Sequence, residues 1–112
     1  MRDNLVYLHH ILDSIARIKQ YLNGVSFDVF AKNEMMVGAT VRELEVIGEA
    51  ASKIDKIIKE KYQELPWNEM IGMRHRLIHE YFGVDLKVVW ETCQSNLPEL
   101  QEKIASIIEI EE

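Results

Sequence analysis

Residues 67–81 read WNEMIGMRHRLIHEY, and their spacing is that of an amphipathic helix, in which apolar residues recur every three or four positions. On such a helix the apolar side chains share one face: Trp67, Met70, Ile71, Leu77, Ile78 and Tyr81. Arg74 falls in the middle of this apolar face. An unpaired guanidinium is costly to bury, so Arg74 must meet a carboxylate, a subunit interface or an anionic ligand.

The simplest interpretation of Arg74 is a structural ion pair. Glu43 is a candidate partner, because it also lies in the middle of the apolar stripe of its own predicted helix. Structural pairs of this kind favour Arg over Lys, since the planar guanidinium matches a carboxylate. The spacing alone leaves a structural and a functional role for Arg74 both open.

The opposite face of the same helix carries the densest cationic and titratable cluster in the chain. His75, Asn68 and His79 share this face, Gly72 leaves a notch beside them, and Arg76 borders it. An HxxxH pair is compatible with a metal site, but neither HExxH nor a second ligand cluster accompanies it. The histidines are otherwise solvated surface residues, or they act on a phosphodiester as acid and base, with arginine holding the phosphate oxygens.

Helical geometry sets a condition on the phosphodiester interpretation. Arg74 and His79 are five positions apart, which is about 140° around a helix, so one helix does not point both at one atom. Either the helix distorts near Gly83 or a second copy of the helix supplies the complementary group. The second option predicts a symmetric homodimer with a composite cleft across its twofold axis.

The segments on both sides are also helical in pattern, and none shows the alternation of a strand. Their ends carry N-cap residues, a helix stop at Asn23-Gly24 and a proline suited to a first turn. The first three predicted helices run from near the N-cap Asp3 to Leu22, from the cap Ser26 to Phe30, and from about Asn33 to the mid-fifties with an extension to Tyr62. The next two run from Pro66 to about Tyr81 and, after the cap Asp85, from Leu86 to about Ser95. The last begins at Asn96 or Pro98. These patterns predict an all-α fold, a single domain over residues 1–112 built as an antiparallel bundle of about four to five helices.

Composition narrows the class of protein further. The net charge of −6 argues against broad, non-specific nucleic-acid binding, although a local basic site is still allowed. The longest run without a charged residue, Asn4 to Leu12, is nine residues, well below the roughly 20 that span a membrane. No secretory signal is evident, and the single cysteine, Cys93, has no partner for an internal disulfide. We therefore expect a cytoplasmic protein.

The stretch from Arg74 to Tyr81 also fits the pattern RxxxxHxY, and further similarity follows in order on both sides. The matching flanks are Val41–Ala50, Leu65–Trp67 with Ile71–Met73, Tyr81–Asp85 with Val89–Trp90, and Leu97–Leu100. Together these segments resemble the HepT-like toxins of the HEPN superfamily over nearly the whole chain. One departure is His75, because many HEPN ribonucleases carry Asn or another polar residue directly after the arginine.

The resemblance implies an HEPN-type helical bundle, a homodimer and a metal-independent endoribonuclease that needs no cofactor. It implies that the chain is the toxin of a type VII HEPN/MNT toxin–antitoxin system, with RNA, and tRNA as one candidate, as its substrate. Arg74 and His79 would be catalytic: His79 assists proton transfer at a ribose 2′-OH and Arg74 stabilises the phosphate. His75, Arg76 and Asn68 would support the cleft.

Tyr81 has a separate implied role as a modification site. In the family, a minimal nucleotidyltransferase antitoxin, MntA, transfers AMP to the motif tyrosine and silences the nuclease. The position of Tyr81 on the apolar face equally allows ordinary core packing. Two other functions stay open: a non-catalytic substrate- or partner-binding subunit of a two-component nucleotidyltransferase, and a dimeric scaffold in which Arg74 makes only an interface ion pair.

Overall fold

The computed structural model describes residues 2–79 and 85–112, with side chains for residues 3–73 and 85–112. Within this part of the chain the structure is helical and contains no strand, so the all-α prediction is confirmed. The elements are α1 Arg2–Leu22, α2 Phe27–Lys32, α3 Glu34–Ser52, α4 Lys56–Lys61, α5 Trp67–His79, α6 Leu86–Glu91, a π-helical turn Thr92–Asn96, and α7 Leu97–Glu111. None of the helices described has the length and hydropathy needed to cross a membrane.

Side-chain caps define several helix ends. Ser26 Oγ, Asn33 Oδ1 and Asp85 Oδ1 each accept a hydrogen bond from a backbone N–H of the following first turn, at 3.0 to 3.3 Å. Gly24 follows α1 with φ of 72°, a conformation that favours glycine and ends the helix. Asp3 does not cap α1 as predicted, because the helix already includes Arg2 and Asp3 lies in its first turn.

The predicted continuous extension of the second long helix is wrong at one point: the helix is interrupted between α3, which ends at Ser52, and α4, which begins at Lys56. Asn4 Nδ2 donates to Asp55 Oδ2 at 3.0 Å, and the Asp55 backbone N–H donates to Asn4 Oδ1 at 2.9 Å. Asn4 is buried, so this pair of bonds replaces contacts with water. These two hydrogen bonds hold the start of α4 against the start of α1, and we call this part of the bundle the fastened end.

The last two predicted helices form one continuous helical run with a π-helical turn between them. The Leu97 N–H donates to the carbonyl oxygen of Thr92, which is the five-residue spacing of a π-helix. Pro98 follows in the first turn of α7. Proline has no N–H to continue the α-helical ladder, which accounts for the local change of spacing.

Packing places α3 between α1 and α5, and α1 between α3 and α7. The apolar stripes predicted for these helices form the core, which includes Leu8, Ile11, Ile15, Leu44, Ile47, Ile54, Leu97, Leu100, Ile104 and Ile107. An aromatic cluster joins α2 to α6, with the rings of Phe30 and Trp90 at 5.4 Å between centroids. Burying each large aliphatic side chain stabilises the fold by about 1.5–3 kcal/mol.

Candidate active site

Helix α5 carries the motif, and its first turns fix its position. Trp67 is 6% exposed and Met70 is 4% exposed, so both side chains anchor α5 in the core. The indole Nε1 of Trp67 donates to the backbone oxygen of Tyr62 at 3.0 Å, and the Met70 N–H donates to the Pro66 carbonyl at 3.0 Å. The helix begins at Trp67, one residue later than predicted, and Pro66 precedes it and accepts the first hydrogen bond of its first turn.

The predicted site residues fall on the second half of α5 and beyond it. The α-helical main chain continues through His79, so Arg74, His75, Arg76 and His79 are all on this helix. Their side chains, and the whole of Tyr81, lie outside the residues that the structure describes. Because α5 is α-helical from Trp67 to His79, the positions of Arg74 and His79 are separated by about 140° around the axis.

A cleft of about 560 Å³ lies beside α5, between this helix and the run formed by the π-helical turn and α7. Gly72 lines it, and a Cβ atom built on Gly72 meets nothing within 4 Å among the described residues; the predicted notch beside His75 and His79 stays a prediction. Leu44, Ile47, Met70, Leu97 and Leu100 form its apolar part. The predicted cleft residue Asn68 does not line it, although its side chain is exposed on the same helix.

The rim of this cleft is acidic. Glu64, Glu69 and Glu99 line it, and the lysine on the rim, Lys103, lies 3.4 Å from a carboxylate oxygen of Glu99. Carboxylates repel a phosphate backbone, so this cleft is poorly suited to hold RNA. The predicted cationic face is a different part of α5: the Asn68 side chain is exposed there, and the positions of His75 and His79 follow in the same helical register.

A polar cluster lies between α1 and α3. Glu43 Oε2 accepts hydrogen bonds from Arg17 Nε at 3.1 Å and from the Tyr21 hydroxyl at 3.3 Å, and Arg17 also donates to Ser14 Oγ at 3.4 Å. Arg17 and Tyr21 were not among the contacts predicted for Glu43. The signal was available, since Ser14, Arg17 and Tyr21 recur at helical spacing beside the apolar stripe of α1.

Two buried polar atoms on α3 lack a hydrogen-bond partner among the described residues. They are Oε1 of Glu43 and Oγ1 of Thr40, which lie one helical turn apart. The Thr40 side chain is fully buried, and the Glu43 side chain is 12% exposed. Orphaned atoms of this kind are rare in folded proteins and call for a physical explanation.

The described ionisable groups offer no strong nucleophile. Burial raises the pKa of the Cys93 thiol to about 12, which keeps it protonated and unreactive near neutral pH. Within residues 3–73 and 85–112, no group of three or more His, Cys, Asp or Glu side chains is arranged to hold a metal ion. The side chains of His75 and His79 lie outside these ranges, so the expectation that no metal takes part stays a prediction.

The fold and the motif define the class of the protein: an all-α bundle in which an RxxxxHxY stretch begins on a core-anchored helix. A family described as "Ribonuclease HepT-like" matches residues 11–107. The chain belongs to this HepT-like ribonuclease family, and the predicted resemblance is confirmed.

Similar proteins occur in bacteria and archaea. Two carry the name "Putative RNase": one from Caldanaerobacter subterraneus subsp. tengcongensis is 42% identical over 105 residues, 94% of each chain, and one from Methanocaldococcus jannaschii is 43% identical over 107 residues, 96% of this chain and 88% of the relative. A "Probable ribonuclease HepT" from Thermococcus cleftensis is 37% identical over 106 residues, 95% of this chain and 96% of the relative. No solved structure gives a significant match.

Proposed function

We propose that this chain is a metal-independent endoribonuclease and the toxin of a two-gene toxin–antitoxin system. The observation that carries the proposal is the match to the HepT-like ribonuclease family over residues 11–107, which includes the whole RxxxxHxY stretch. Relatives that carry the ribonuclease name align over nearly the full chain, so the alignment also includes the helices that anchor α5. The catalytic residues we assign are Arg74 and His79.

The reaction requires no protein nucleophile. His79 accepts the proton of a ribose 2′-OH, the 2′ oxygen bonds to the adjacent phosphorus, and the bond from phosphorus to the 5′ oxygen breaks. The departing 5′ oxygen takes up a proton, for which His75 or a group from a second copy of the chain is available. Arg74 stabilises the added negative charge on the phosphate oxygens. The products are a 2′,3′-cyclic phosphate end and a 5′-hydroxyl end.

The charge distribution favours a compact substrate that meets a small basic site. The net charge is −6 and the rim of the cleft beside α5 is acidic, so the chain lacks the broad basic surface that tracks a long nucleic acid. A folded RNA with an exposed single-stranded loop can present one phosphodiester to such a site. We therefore propose tRNA as the first substrate to test.

A second copy of the chain completes the site in this proposal. The α-helix from Trp67 to His79 separates Arg74 and His79 by about 140°, so one helix does not aim both at one phosphate. In a symmetric homodimer the two α5 helices can each contribute one of the two groups. We also propose that the chain acts on RNA in the cytoplasm.

Silencing would act through Tyr81. A partner nucleotidyltransferase of the MntA type would join the Tyr81 oxygen to the α-phosphorus of ATP and break the bond to the β-phosphate, which releases pyrophosphate and a proton. The attached AMP adds bulk and negative charge two residues after His79. Like charge repels the RNA backbone, so the modified site would no longer bind its substrate.

The test compares three purified chains with total tRNA in EDTA: wild type, His79→Ala and His10→Ala. His10 is exposed on α1, which makes it a matched control for loss of an imidazole. We expect wild type and His10→Ala to cleave RNA and leave cyclic phosphate ends, and His79→Ala to be slower by about 10²-fold or more. Equal rates for wild type and His79→Ala would contradict the assignment of His79.

A wild-type chain that does not cleave is interpreted from its intact mass. A mass increased by one AMP group places the failure in prior modification, and removal of that group should then restore cleavage. An unmodified mass together with no cleavage of total cellular RNA contradicts the nuclease proposal and favours the binding-subunit alternative.

A further inference from the structure

The cleft beside α5 is elongated along both of its walls. Its lining residues recur at intervals of four and three positions on each side: Pro66, Met70 and Met73 on the α5 side, and Asn96, Leu100 and Lys103 on the α7 side. Residues at these intervals share one face of a helix, and seven positions of helix extend about 10 Å. The cleft is therefore a groove about two helical turns long, which we call the α5–α7 groove.

The bottom of the α5–α7 groove is apolar. The side chains there belong to the core and are at most 7% exposed: Leu44, Ile47, Met70, Leu97 and Leu100. Met73 is only partly buried, and its unbranched thioether side chain adapts to contacts of varied shape. An apolar side chain that enters the groove exchanges contact with water for contact with these residues, which is favourable in proportion to the area buried.

The rim of the α5–α7 groove carries an excess of negative charge. Glu64 and Glu69 are exposed, and neither forms an ion pair or hydrogen bond with a described residue. Lys103 lies 3.4 Å from Glu99, so three carboxylates face one ammonium group and two negative charges remain. Apolar contacts at the bottom and cationic contacts at the rim are the two requirements that an occupant must meet.

These requirements distinguish the possible occupants. RNA is disfavoured, because the carboxylates repel its phosphates. In a second copy of the chain, the described helix with the most lysines is α4, which carries Lys56, Lys59 and Lys61. Ile57 is 65% exposed on α4, but Ile58 is buried in the core. A second copy would therefore bring one apolar side chain on its lysine-rich helix to a groove that is two turns long.

We propose that the α5–α7 groove binds a basic amphipathic helix of a partner protein. Apolar side chains at positions i, i+3 or i+4, and i+7 of that helix contact the bottom of the groove, which matches its length of two turns. Lysine or arginine side chains beside them reach Glu64, Glu69 and Glu99 at the rim. The inference does not depend on the proposed ribonuclease function, and its test requires no RNA cleavage.

The first test uses a synthetic fluorescent peptide of leucine and lysine, about four helical turns long, with all its leucines on one helical face. The full chain is titrated into the peptide, and binding is followed by fluorescence anisotropy. We expect the chain to bind this peptide about tenfold more tightly than a peptide of the same composition whose leucines are scattered around the helix. Equal affinities would overturn the proposal, because charge attraction alone would then explain binding.

The second test locates the contact with matched variants of the chain. Glu64→Gln/Glu69→Gln removes two charges from the rim, and Glu102→Gln/Glu109→Gln removes two charges from exposed positions of α7 outside the groove. We expect the first pair to weaken binding about tenfold and the second pair by less than about twofold. Met73→Gln should also weaken binding about tenfold, although it leaves the rim charge unchanged. Equal effects of the two pairs, or unchanged binding by Met73→Gln, would contradict the proposal.

A third measurement tests a second copy of the chain as the occupant. Sedimentation equilibrium without peptide gives the mass of the assembly for wild type, Met73→Gln and Glu64→Gln/Glu69→Gln. We expect the three masses to be equal, because the groove is open to a different protein. A lower mass for both variants would show that a second copy covers the groove and that the proposal is wrong. Circular dichroism verifies that each variant folds, and Met73→Ala replaces Met73→Gln if the latter does not.

Discussion

The two ends of the bundle differ in how their buried polar groups are satisfied. At the end where α1 begins and α7 finishes, Asn4 binds Asp55 through both its amide atoms, and Glu111 accepts from both Lys61 and Tyr62. At the other end, where α1 finishes and α3 begins, Thr40 and Glu43 each keep a buried oxygen without a described partner. Fully paired polar groups favour a stabilising role for the first end, and unpaired ones favour function at the second.

The same contrast holds for packing. Ile58 of α4 is 1% exposed and closes the fastened end, where the cavity against Asn4, Leu5, Leu8 and Glu111 is only about 80 Å³. Beside α5 the cleft is about 560 Å³, and Gly72 adds open space to it. A folded domain tolerates such an opening where a ligand or partner needs access, and stability must then come from the rest of the bundle.

The largest effect on stability should come from the fastened end. We expect Ile58→Ala to lower the free energy of unfolding by about 2–5 kcal/mol, because it removes buried methyl groups and leaves a cavity. Urea unfolding followed by circular dichroism measures the change. RNA cleavage per folded molecule should equal that of wild type, and a specific loss of cleavage in the folded fraction would contradict the division of roles between the two ends.

Sequence patterns could predict the parts of the fold that depend on neighbouring residues. The caps at Ser26 and Asp85 act within one helical turn, so both were correctly predicted. The break before α4 depends on Asn4, which lies 51 positions away from Asp55, and no local pattern contains that information. The π-helical turn at Thr92–Asn96 was not predicted; the sequence indicated only a helix start or kink near Asn96 and Pro98, and Pro98 lies in the first turn of α7.

In the candidate site, too, the features set by neighbouring residues could be predicted, and those set by distant residues could not. The RxxxxHxY stretch is contiguous, so the sequence alone could identify Arg74 and His79 as candidates. The apolar position of Glu43 was also visible, but its contacts with Arg17 and Tyr21 depend on how α1 lies against α3. The cleft and its acidic rim draw on α5, the π-helical turn and α7 together, so only the folded chain shows that these carboxylates line one surface.

The second-largest expected effect is a pH dependence of the stability contributed by Glu111 and its partners at the fastened end. Hydrogen bonds from Lys61 and Tyr62 lower the pKa of Glu111, so its contribution to stability is present above its unfolded pKa and is lost as pH falls through the lower folded value. The hydrogen bond to Glu111 raises the pKa of Lys61, which loses its contribution as pH rises through the raised value.

Glu111→Gln tests this dependence, with Glu109→Gln as a variant that carries the same charge change without the two contacts. We expect the melting temperature of Glu111→Gln to fall less steeply than that of wild type as the pH is lowered below about 5. Its melting temperature at neutral pH should be slightly below that of wild type. A profile for Glu111→Gln parallel to that of wild type would contradict the role of this contact.

The smallest expected change in the free energy of unfolding is at Gly72, beside the α5 cleft, and we expect it to be an increase. Gly72 lies inside α5, where alanine is favoured over glycine by up to about 1 kcal/mol, and a Cβ atom there meets nothing within 4 Å. Gly72→Ala should therefore raise the free energy of unfolding slightly, in contrast to the loss at Ile58. A less stable Gly72→Ala chain would show instead that another surface packs against Gly72 in solution.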